Sequence, residues 1–195
     1  MDDIYETRNS IYYYPGTDVL KNKLNIKKRE ELLFYETKIT AAKLLSFRRK
    51  GITGDFSKQH LIQIHRTLFE DIYPFAGEFR TENIAKGSFR FAEWEYIEEQ
   101  VELLLKRLKE ENYLQGLNKR AFVGRLSFYM AELNVLHPFR EGNGRTTREF
   151  IRQLALKNGY TLNLTKVSAK TILEACMISV IDLNPLEDLL EDCME

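Results

Sequence analysis

One segment of the sequence, residues 137–148, carries the side chains best suited to chemistry on a phosphate group. Its first residue is His137, whose imidazole titrates near neutral pH and can accept a proton from a hydroxyl group. Four residues later, Glu141 offers a carboxylate to Mg²⁺, a cation that takes oxygen ligands and often bridges to substrate phosphates. The segment therefore supplies a general base and a metal ligand within one short loop.

The rest of this segment predicts an anion-binding site where the loop enters a helix. Gly142, Asn143 and Gly144 follow a chain-breaking proline and let the backbone turn, so that its amide hydrogens point into one concavity. Arg145 and Arg148 lie three residues apart on the next helix, and each guanidinium can donate two hydrogen bonds to phosphate oxygens. Each feature alone is common in ordinary loops, but their joint occurrence in this order favours a polyphosphate site.

Amphipathic helices are predicted to position this loop. Apolar residues recur at helical spacing through most of the sequence, and the pattern is strongest just before the loop. The helical patterns cover residues 32–47, 61–68, 97–108, 122–133 and 150–154, and a last one begins near Ser168. The fold class predicted from these patterns is mainly α.

Residues 79–92 are the exception to the helical pattern. Lys86 and Gly87 form a turn signal between two short segments, and Phe89 and Phe91 alternate with polar neighbours. We expect a small β-hairpin here and no other β-structure.

Length and composition predict one domain over residues 1–195. A chain of 195 residues with 44% hydrophobic content is long enough to bury one sizeable core. Residues 1–28, which include a Tyr-Pro-Gly-Thr sequence, are expected to form an irregular arm, and residues 166–195 to form the C-terminal helices.

The charge balance argues against nucleic acid and membrane partners. Lys plus Arg and Asp plus Glu both number 29, and no apolar stretch approaches the roughly 20 residues of a membrane span. The N-terminus is acidic, unlike a secretory signal, and Cys176 and Cys193 are too few for a disulfide framework. These features predict a cytoplasmic protein with reduced cysteines.

The segment 137–148 resembles the active-site motif of the Fic family, His-x-Phe-x-(Asp/Glu)-Gly-Asn-Gly-Arg-x-x-Arg, and meets every defined position. The arm resembles that of bacterial toxin and effector members. Further similarity is carried by Asp55-Phe56, His60-Leu61, Ile64-His65, Leu68-Phe69, Tyr73-Pro74, Ala76-Gly77-Glu78, Arg80 and, in the arm, Leu20-Lys21-Asn22. The resemblance implies a single Fic-fold helical domain with its core at about 55–165 and a small β-hairpin flap.

The resemblance also implies an activity, the transfer of AMP from ATP to a Tyr, Ser or Thr hydroxyl of a target protein or of the chain itself. His137 would deprotonate the hydroxyl, which attacks the α-phosphate and releases pyrophosphate. Glu141 would bind Mg²⁺. Phe139 would anchor the loop in the core.

The phosphates would be held by the rest of the motif. By resemblance, Gly142, Asn143 and Gly144 supply an anion hole, and Arg145 and Arg148 contact the β- and γ-phosphates.

The hairpin occupies the place of the family's flap, which holds the target by main-chain pairing. Lys86 and Gly87 would contact the target or the nucleotide, or else form an ordinary hairpin turn. His60 and His65 are five residues apart and suit no common zinc pattern, so we expect both to be structural.

An inhibitory sequence found in many family members, Ser/Thr-x-x-x-Glu-Gly/Asn, does not occur, because no Ser or Thr is followed four residues later by Glu. Two hypotheses follow for the control of Arg148. A separate small antitoxin-like protein would supply the missing carboxylate, or a degenerate helix around Glu30, Glu31 and Glu36 would act more weakly. We favour the first.

Several alternatives stay open at this point. UMP or GMP transfer, removal of AMP and a kinase reaction all use this fold, although Gly144 argues against the kinase, whose relatives have Lys in the glycine loop. A non-catalytic module that binds a nucleotide or a peptide is the rival from another class. The oligomeric state also stays open, because periodicity does not separate a core face from an interface.

Overall fold

Helices account for most of the computed structural model, which describes residues 10–87 and 89–195. Within these residues there are seven α-helices: α1 (Arg29–Lys50), α2 (Lys58–Phe69), α3 (Ile97–Glu110), α4 (Lys119–Leu136), α5 (Asn143–Lys157), α6 (Ala169–Ile178) and α7 (Asn184–Asp192). The mainly α fold predicted from the apolar periodicity is confirmed, and every predicted helical pattern lies within one of these helices. None of the described helices combines the length and the hydrophobicity that a bilayer crossing requires.

Local sequence signals set several helix starts. Ser57 caps α2, where its side chain accepts a hydrogen bond from the His60 amide, and Asn118 caps α4 by accepting from the Ala121 amide at 3.0 Å. Such caps satisfy amides that have no partner inside the helix. The starts of α2 and α4 therefore follow from residues that stand directly before the apolar patterns.

Helix α4 lies at the centre of the core. It packs against α5, α3 and α7, while α2 also packs against α5. Leu126 and Leu133 on α4 and Phe150 and Ile151 on α5 have no exposed surface. Full burial of one such side chain stabilises the fold by about 1.5–3 kcal/mol, so the α4–α5 pair forms a rigid frame around the loop that joins them.

The predicted hairpin is present but its strands are short. Strand β1 (Ala85–Lys86) pairs antiparallel with β2 (Phe89–Arg90). On both sides the chain bonds to the end of α4 instead of extending the ladder: the Arg80 amide donates to the Pro138 carbonyl at 2.9 Å, and the Ala92 amide donates to the Val135 carbonyl at 3.2 Å. The stem of the hairpin is thereby fixed beside residues 135–138.

The described part of the arm, residues 10–28, contains turns and one isolated antiparallel bridge between Tyr13 and Leu20. Asn22 organises it, since its side chain bonds to the Leu20 and Ile26 carbonyls and accepts from the Ile26 amide. The Lys23 amide donates to the Ile72 carbonyl at 2.7 Å, which joins the arm to the segment after α2. Residues 1–9 of the predicted arm lie outside the described residues.

Candidate active site

His137 ends helix α4 in a left-handed conformation, with φ 46° and ψ 58°. Its Nδ1 lies 3.1 Å from the carbonyl oxygen of Asn134, and because a carbonyl only accepts, Nδ1 carries the hydrogen. This assignment makes Nε2 the ring nitrogen able to take a proton. The ring stacks on Phe91 from the hairpin stem, with 3.9 Å between centroids, and 8% of the residue is exposed. The predicted base is thus fixed in both tautomer and orientation.

Arg80 holds the backbone of this histidine. The residue is only 1% exposed, and its guanidinium bonds to main-chain carbonyls of the hairpin stem and of the end of α4. Sequence reasoning assigned Arg80 no role beyond family resemblance. A signal did exist, because an arginine at the start of the predicted hairpin segment, next to Phe79, needs polar partners if it is buried.

His65 supports the loop through hydrogen bonds and ring stacking. Its Nδ1 accepts a hydrogen bond from the Gly77 amide at 2.8 Å, so its Nε2 carries the hydrogen that is donated to the Glu141 carbonyl at 2.9 Å. The ring stacks on Phe139 at 3.8 Å, and Phe139 itself is buried. Burial lowers the pKa of His65 to about 3, although the bond to the Glu141 carbonyl opposes that shift. His65 is therefore a neutral structural histidine, as predicted.

His60 is also buried and also has structural partners. Its Nδ1 accepts from the Phe56 amide at 3.1 Å, and its Nε2 lies 3.3 Å from the hydroxyl of Thr53. Burial lowers its pKa as well. Among the described residues, no three or more His, Cys, Asp or Glu side chains are grouped so that they could hold a metal ion.

Asn143 closes the glycine-rich loop with its side chain. The Oδ1 atom accepts from the Phe139 amide at 2.8 Å, and Nδ2 donates to the Phe139 carbonyl at 2.7 Å. Since the side chain is used inside the loop, the backbone amide of Asn143 is the group available for an anion. Gly142 precedes it at φ +80°, and α5 starts directly afterwards, so the first amides of the helix face the end of the loop.

Glu141 is the carboxylate at the mouth of the loop. Its Oε1 accepts from the Gly142 amide at 2.8 Å and lies 3.5 Å from Nη2 of Arg145, and 13% of its side chain is exposed. A single carboxylate of this kind fits Mg²⁺, which usually takes one or two protein oxygens and completes its shell with water and phosphate oxygens.

The two arginines of the motif point in different directions. Arg145 turns toward α1, where it forms an ion pair with the buried carboxylate of Glu36 and donates to the Thr40 hydroxyl at 3.3 Å. Arg148 is half-buried and lies beside the glycine loop. Its Nη1 is so close to Gly144 that a Cβ added there would be only 3.0 Å away. The Glu36 carboxylate on α1 is thus a direct partner of Arg145.

Of the three glutamates considered for a weak brake, only Glu36 reaches the loop. Glu30 and Glu31 are exposed on the outer side of α1. Glu36 contacts the first arginine of the motif, Arg145, whereas the inhibitory pairing expected for the family involves the second, Arg148.

Lys86 and Gly87 lie at the turn of the hairpin. Lys86 pairs with Phe89, and Gly87 takes a positive φ of 59°, which glycine adopts without strain. The stem below this turn reaches His137 through Phe91. The hairpin is thus adjacent to the candidate base, while contacts of Lys86 and Gly87 with a target or nucleotide stay a prediction.

Comparisons of sequence and structure identify relatives of this chain. The Fic/DOC family profile matches residues 55–155. The chain is 39% identical to the protein adenylyltransferase VbhT of Bartonella schoenbuchensis over 90% of this chain, but it spans only 37% of that protein's length. It is also 39% identical to the probable protein adenylyltransferase Fic of Escherichia coli, over 84% of this chain and 80% of that protein. The crystal structure of the BepC protein of Bartonella tribocorum with bound AMPPNP superposes with a TM-score of 0.89, at 27% identity, over 94% of this chain and 96% of BepC. The sequence motif, the helical fold and these relatives together establish that the chain belongs to the Fic/DOC family.

Proposed function

We propose that this chain is a protein adenylyltransferase, which transfers AMP from ATP to a hydroxyl group of a protein. The observation that carries the proposal is the position of His137 at the end of α4, where the Asn134 carbonyl holds Nδ1 and leaves Nε2 as the proton acceptor, five residues before α5 begins at Gly142 and Asn143. The relatives named as adenylyltransferases and the nucleotide bound to BepC support ATP as the co-substrate.

In the proposed reaction, Nε2 of His137 takes the proton of a Tyr, Ser or Thr hydroxyl. The hydroxyl oxygen then attacks the α-phosphorus of ATP, the bond to the bridging oxygen between the α- and β-phosphates breaks, and pyrophosphate leaves. The products are an AMP–protein ester and pyrophosphate. The Phe91 ring and the Arg80 bonds keep the imidazole in one orientation while this happens.

The negative charge of the leaving group needs compensation. The first amides of α5, at Asn143 and Gly144, would donate to phosphate oxygens at the positive end of the helix, while the Gly142 amide donates to Glu141 Oε1. Arg148 would add a guanidinium beside the same loop, and Arg145 would add positive charge from its position on Glu36. Mg²⁺, held by Glu141 and the phosphates, would supply further charge neutralisation.

The target segment would pair with the hairpin as an added strand near Lys86 and Gly87. The stem that carries this turn is bonded to the end of α4, so a segment lying along it would bring a hydroxyl toward His137.

A small inhibitory protein would control the enzyme by placing a carboxylate against Arg148. The proposal rests on the absence of the family's inhibitory sequence from these 195 residues. An antitoxin-like partner of this kind would act in the cytoplasm, where the sequence also predicts the enzyme.

Intact-protein mass spectrometry tests the activity. Wild type and His137→Asn are incubated with ATP and Mg²⁺, alone and with bacterial lysate, after both have been shown to fold by thermal unfolding. A mass increase of one AMP on this protein or on a lysate protein, lost in the variant, supports the proposal. The same reaction with UTP and GTP ranks the nucleotides. A phosphate-sized shift would support a kinase, and nucleotide binding with no mass shift would support a binding module.

A further inference from the structure

A buried carboxylate on α1 lies next to the catalytic loop. Glu36 is 4% exposed, although it stands in the middle of a helix whose other acidic residues, Glu30 and Glu31, are in solvent. Burial of a carboxylate is unfavourable unless charge and hydrogen bonds compensate it. The Glu36 carboxylate is compensated by Arg145 and by the Tyr73 hydroxyl.

Three groups surround Glu36, two at its carboxylate oxygens and one at its main-chain carbonyl. Arg145 Nη2 pairs with one oxygen and the Tyr73 hydroxyl donates to the other. The Thr40 hydroxyl donates to the Glu36 carbonyl at 2.8 Å and also accepts from Arg145 Nη1 at 3.3 Å. The desolvation of Tyr73, together with the charges of Glu36 and Glu141, raises its pKa, so its hydroxyl stays protonated and donates. Glu36 thus has well-placed partners on both oxygens.

Arg145 stands between two carboxylates. It contacts Glu36 closely, whereas its Nη2 is 3.5 Å from Oε1 of Glu141, which is longer than the roughly 2.8 Å of a good charge-assisted bond. Burial would lower the pKa of Arg145, but the charges of Glu36 and Glu141 outweigh that effect and leave it raised. The guanidinium therefore stays charged and must have a carboxylate partner.

We propose that Glu36 is a positioning residue that draws Arg145 away from a closer bond with Glu141, so that the guanidinium competes less with Mg²⁺ for the Glu141 carboxylate. The inference rests on the proposed function, because it assigns a role within nucleotide and metal binding. Without the negative charge of Glu36, the buried guanidinium has Glu141 as its remaining carboxylate, and its N–H groups would compete with the cation for the same oxygens.

The test measures a binding coupling instead of a rate. The dissociation constant of a non-hydrolysable ATP analogue is measured by calorimetry with and without Mg²⁺. The constant without Mg²⁺ divided by the constant with Mg²⁺ is the Mg²⁺ gain, the factor by which the cation tightens binding. In Glu36→Gln we expect this gain to fall by about tenfold. The matched control Glu31→Gln, an exposed position on the same helix, should keep the gain of the wild type.

A double variant separates positioning from simple damage. If Glu36 acts by holding Arg145, then Glu36→Gln combined with Arg145→Gln should restore most of the Mg²⁺ gain, even if affinity for the analogue falls in both conditions. A loss of packing around α1 would not be repaired by a second substitution. Tyr73→Phe removes one hydrogen bond to Glu36 and keeps the ring, so it should also lower the Mg²⁺ gain, by a smaller factor than Glu36→Gln. If Glu36→Gln does not fold, Tyr73→Phe is used as the test variant in its place.

Two results would overturn the inference. One is an unchanged Mg²⁺ gain in folded Glu36→Gln or, if that variant does not fold, in Tyr73→Phe. The other is a double variant that recovers none of the lost gain. Wild type that neither binds the analogue nor transfers AMP would instead sink the proposed function, so the two failures are told apart by the wild-type measurements.

Discussion

Arg80 donates a hydrogen bond from Nε to the main-chain carbonyl of His137 at 2.9 Å. The same guanidinium donates to the carbonyls of Leu136 at 3.3 Å, of Ala92 at 2.5 Å and of Glu82 at 2.8 Å. One buried side chain therefore joins both sides of the hairpin stem to the residue proposed as the base. This arrangement makes the position of the imidazole depend on the hairpin stem as well as on α4.

Arg80→Lys should impair transfer more than it impairs folding. A lysine has no planar fork, so it reaches fewer of the four carbonyls and leaves the others without a donor. We expect the free energy of unfolding to fall by about 2 kcal/mol and the transfer rate to fall about a hundredfold, since small misplacements of a base are costly. Urea unfolding and a steady-state transfer assay measure both quantities.

Arg120→Lys, at an exposed position in the first turn of α4, is the matched control and should behave as wild type. A folded Arg80→Lys enzyme with the normal transfer rate would show that the carbonyl bonds of Arg80 do not position His137.

Gly142 and Gly144 should respond differently to alanine. Gly142 has φ +80°, and a Cβ there would lie 2.2 Å from the Phe69 ring, so Gly142→Ala should lower the free energy of unfolding by about 3 kcal/mol. A Cβ on Gly144 would meet only the end of the Arg148 side chain, at 3.0 Å. We expect Gly144→Ala to fold at least as stably as wild type and to lose transfer activity about tenfold, because Arg148 is displaced.

Thermal unfolding and a transfer assay on both variants check this contrast. Equal destabilisation of the two proteins would contradict the assignment of strain to Gly142 alone.

Much of this site could be predicted from the sequence because the residues that matter are contiguous. His137, Glu141 and the glycines fall within one segment, and the helices on either side have clear apolar periodicity. The pairing of Glu36 with Arg145 could not be predicted, because the two residues are 109 positions apart in the sequence and nothing in the pattern of α1 marks Glu36 as buried. Tertiary packing alone decides which of several glutamates on a helix turns inward.

The role of Asn143 illustrates the same limit at shorter range. The motif indicated an anion site, but it did not indicate that the side chain of Asn143 would bond to both the amide and the carbonyl of Phe139 while only its backbone faces the site. Spacing within a motif fixes which residues are close, and the direction of each side chain depends on the loop conformation.

Asn143→Asp should weaken nucleotide binding and loosen the loop. The substitution replaces the donor to the Phe139 carbonyl by a carboxylate oxygen and adds negative charge beside the proposed phosphates. We expect the KM for ATP to rise about tenfold and the free energy of unfolding to fall by about 1–2 kcal/mol. Asn118→Asp is the control, because a carboxylate can still cap α4 by accepting from the Ala121 amide. An unchanged KM in Asn143→Asp would place the phosphates away from this loop.

His65 should make the stability of the fold depend on pH below neutrality. Its pKa is lowered from 6.5 to about 3 in the folded protein, so between these values the unfolded chain binds a proton that the folded chain does not. Protonation of the unfolded state then favours unfolding, and the stability present above pH 6.5 is lost as the pH falls toward 3. Between pH 7 and pH 5 this residue alone should lower the free energy of unfolding by about 2 kcal/mol.

His65→Gln separates this effect from other titrating groups. The amide of Gln can accept from the Gly77 amide and donate to the Glu141 carbonyl, as His65 does, but it does not titrate. Urea unfolding at pH 5, 6 and 7 should therefore give a smaller pH slope for the variant than for wild type, although the lowered pKa of His60 leaves part of the slope in both. Identical slopes would mean that His65 binds its proton equally well in the folded and the unfolded chain. That result would contradict the assignment of His65 as a neutral histidine that donates to the Glu141 carbonyl.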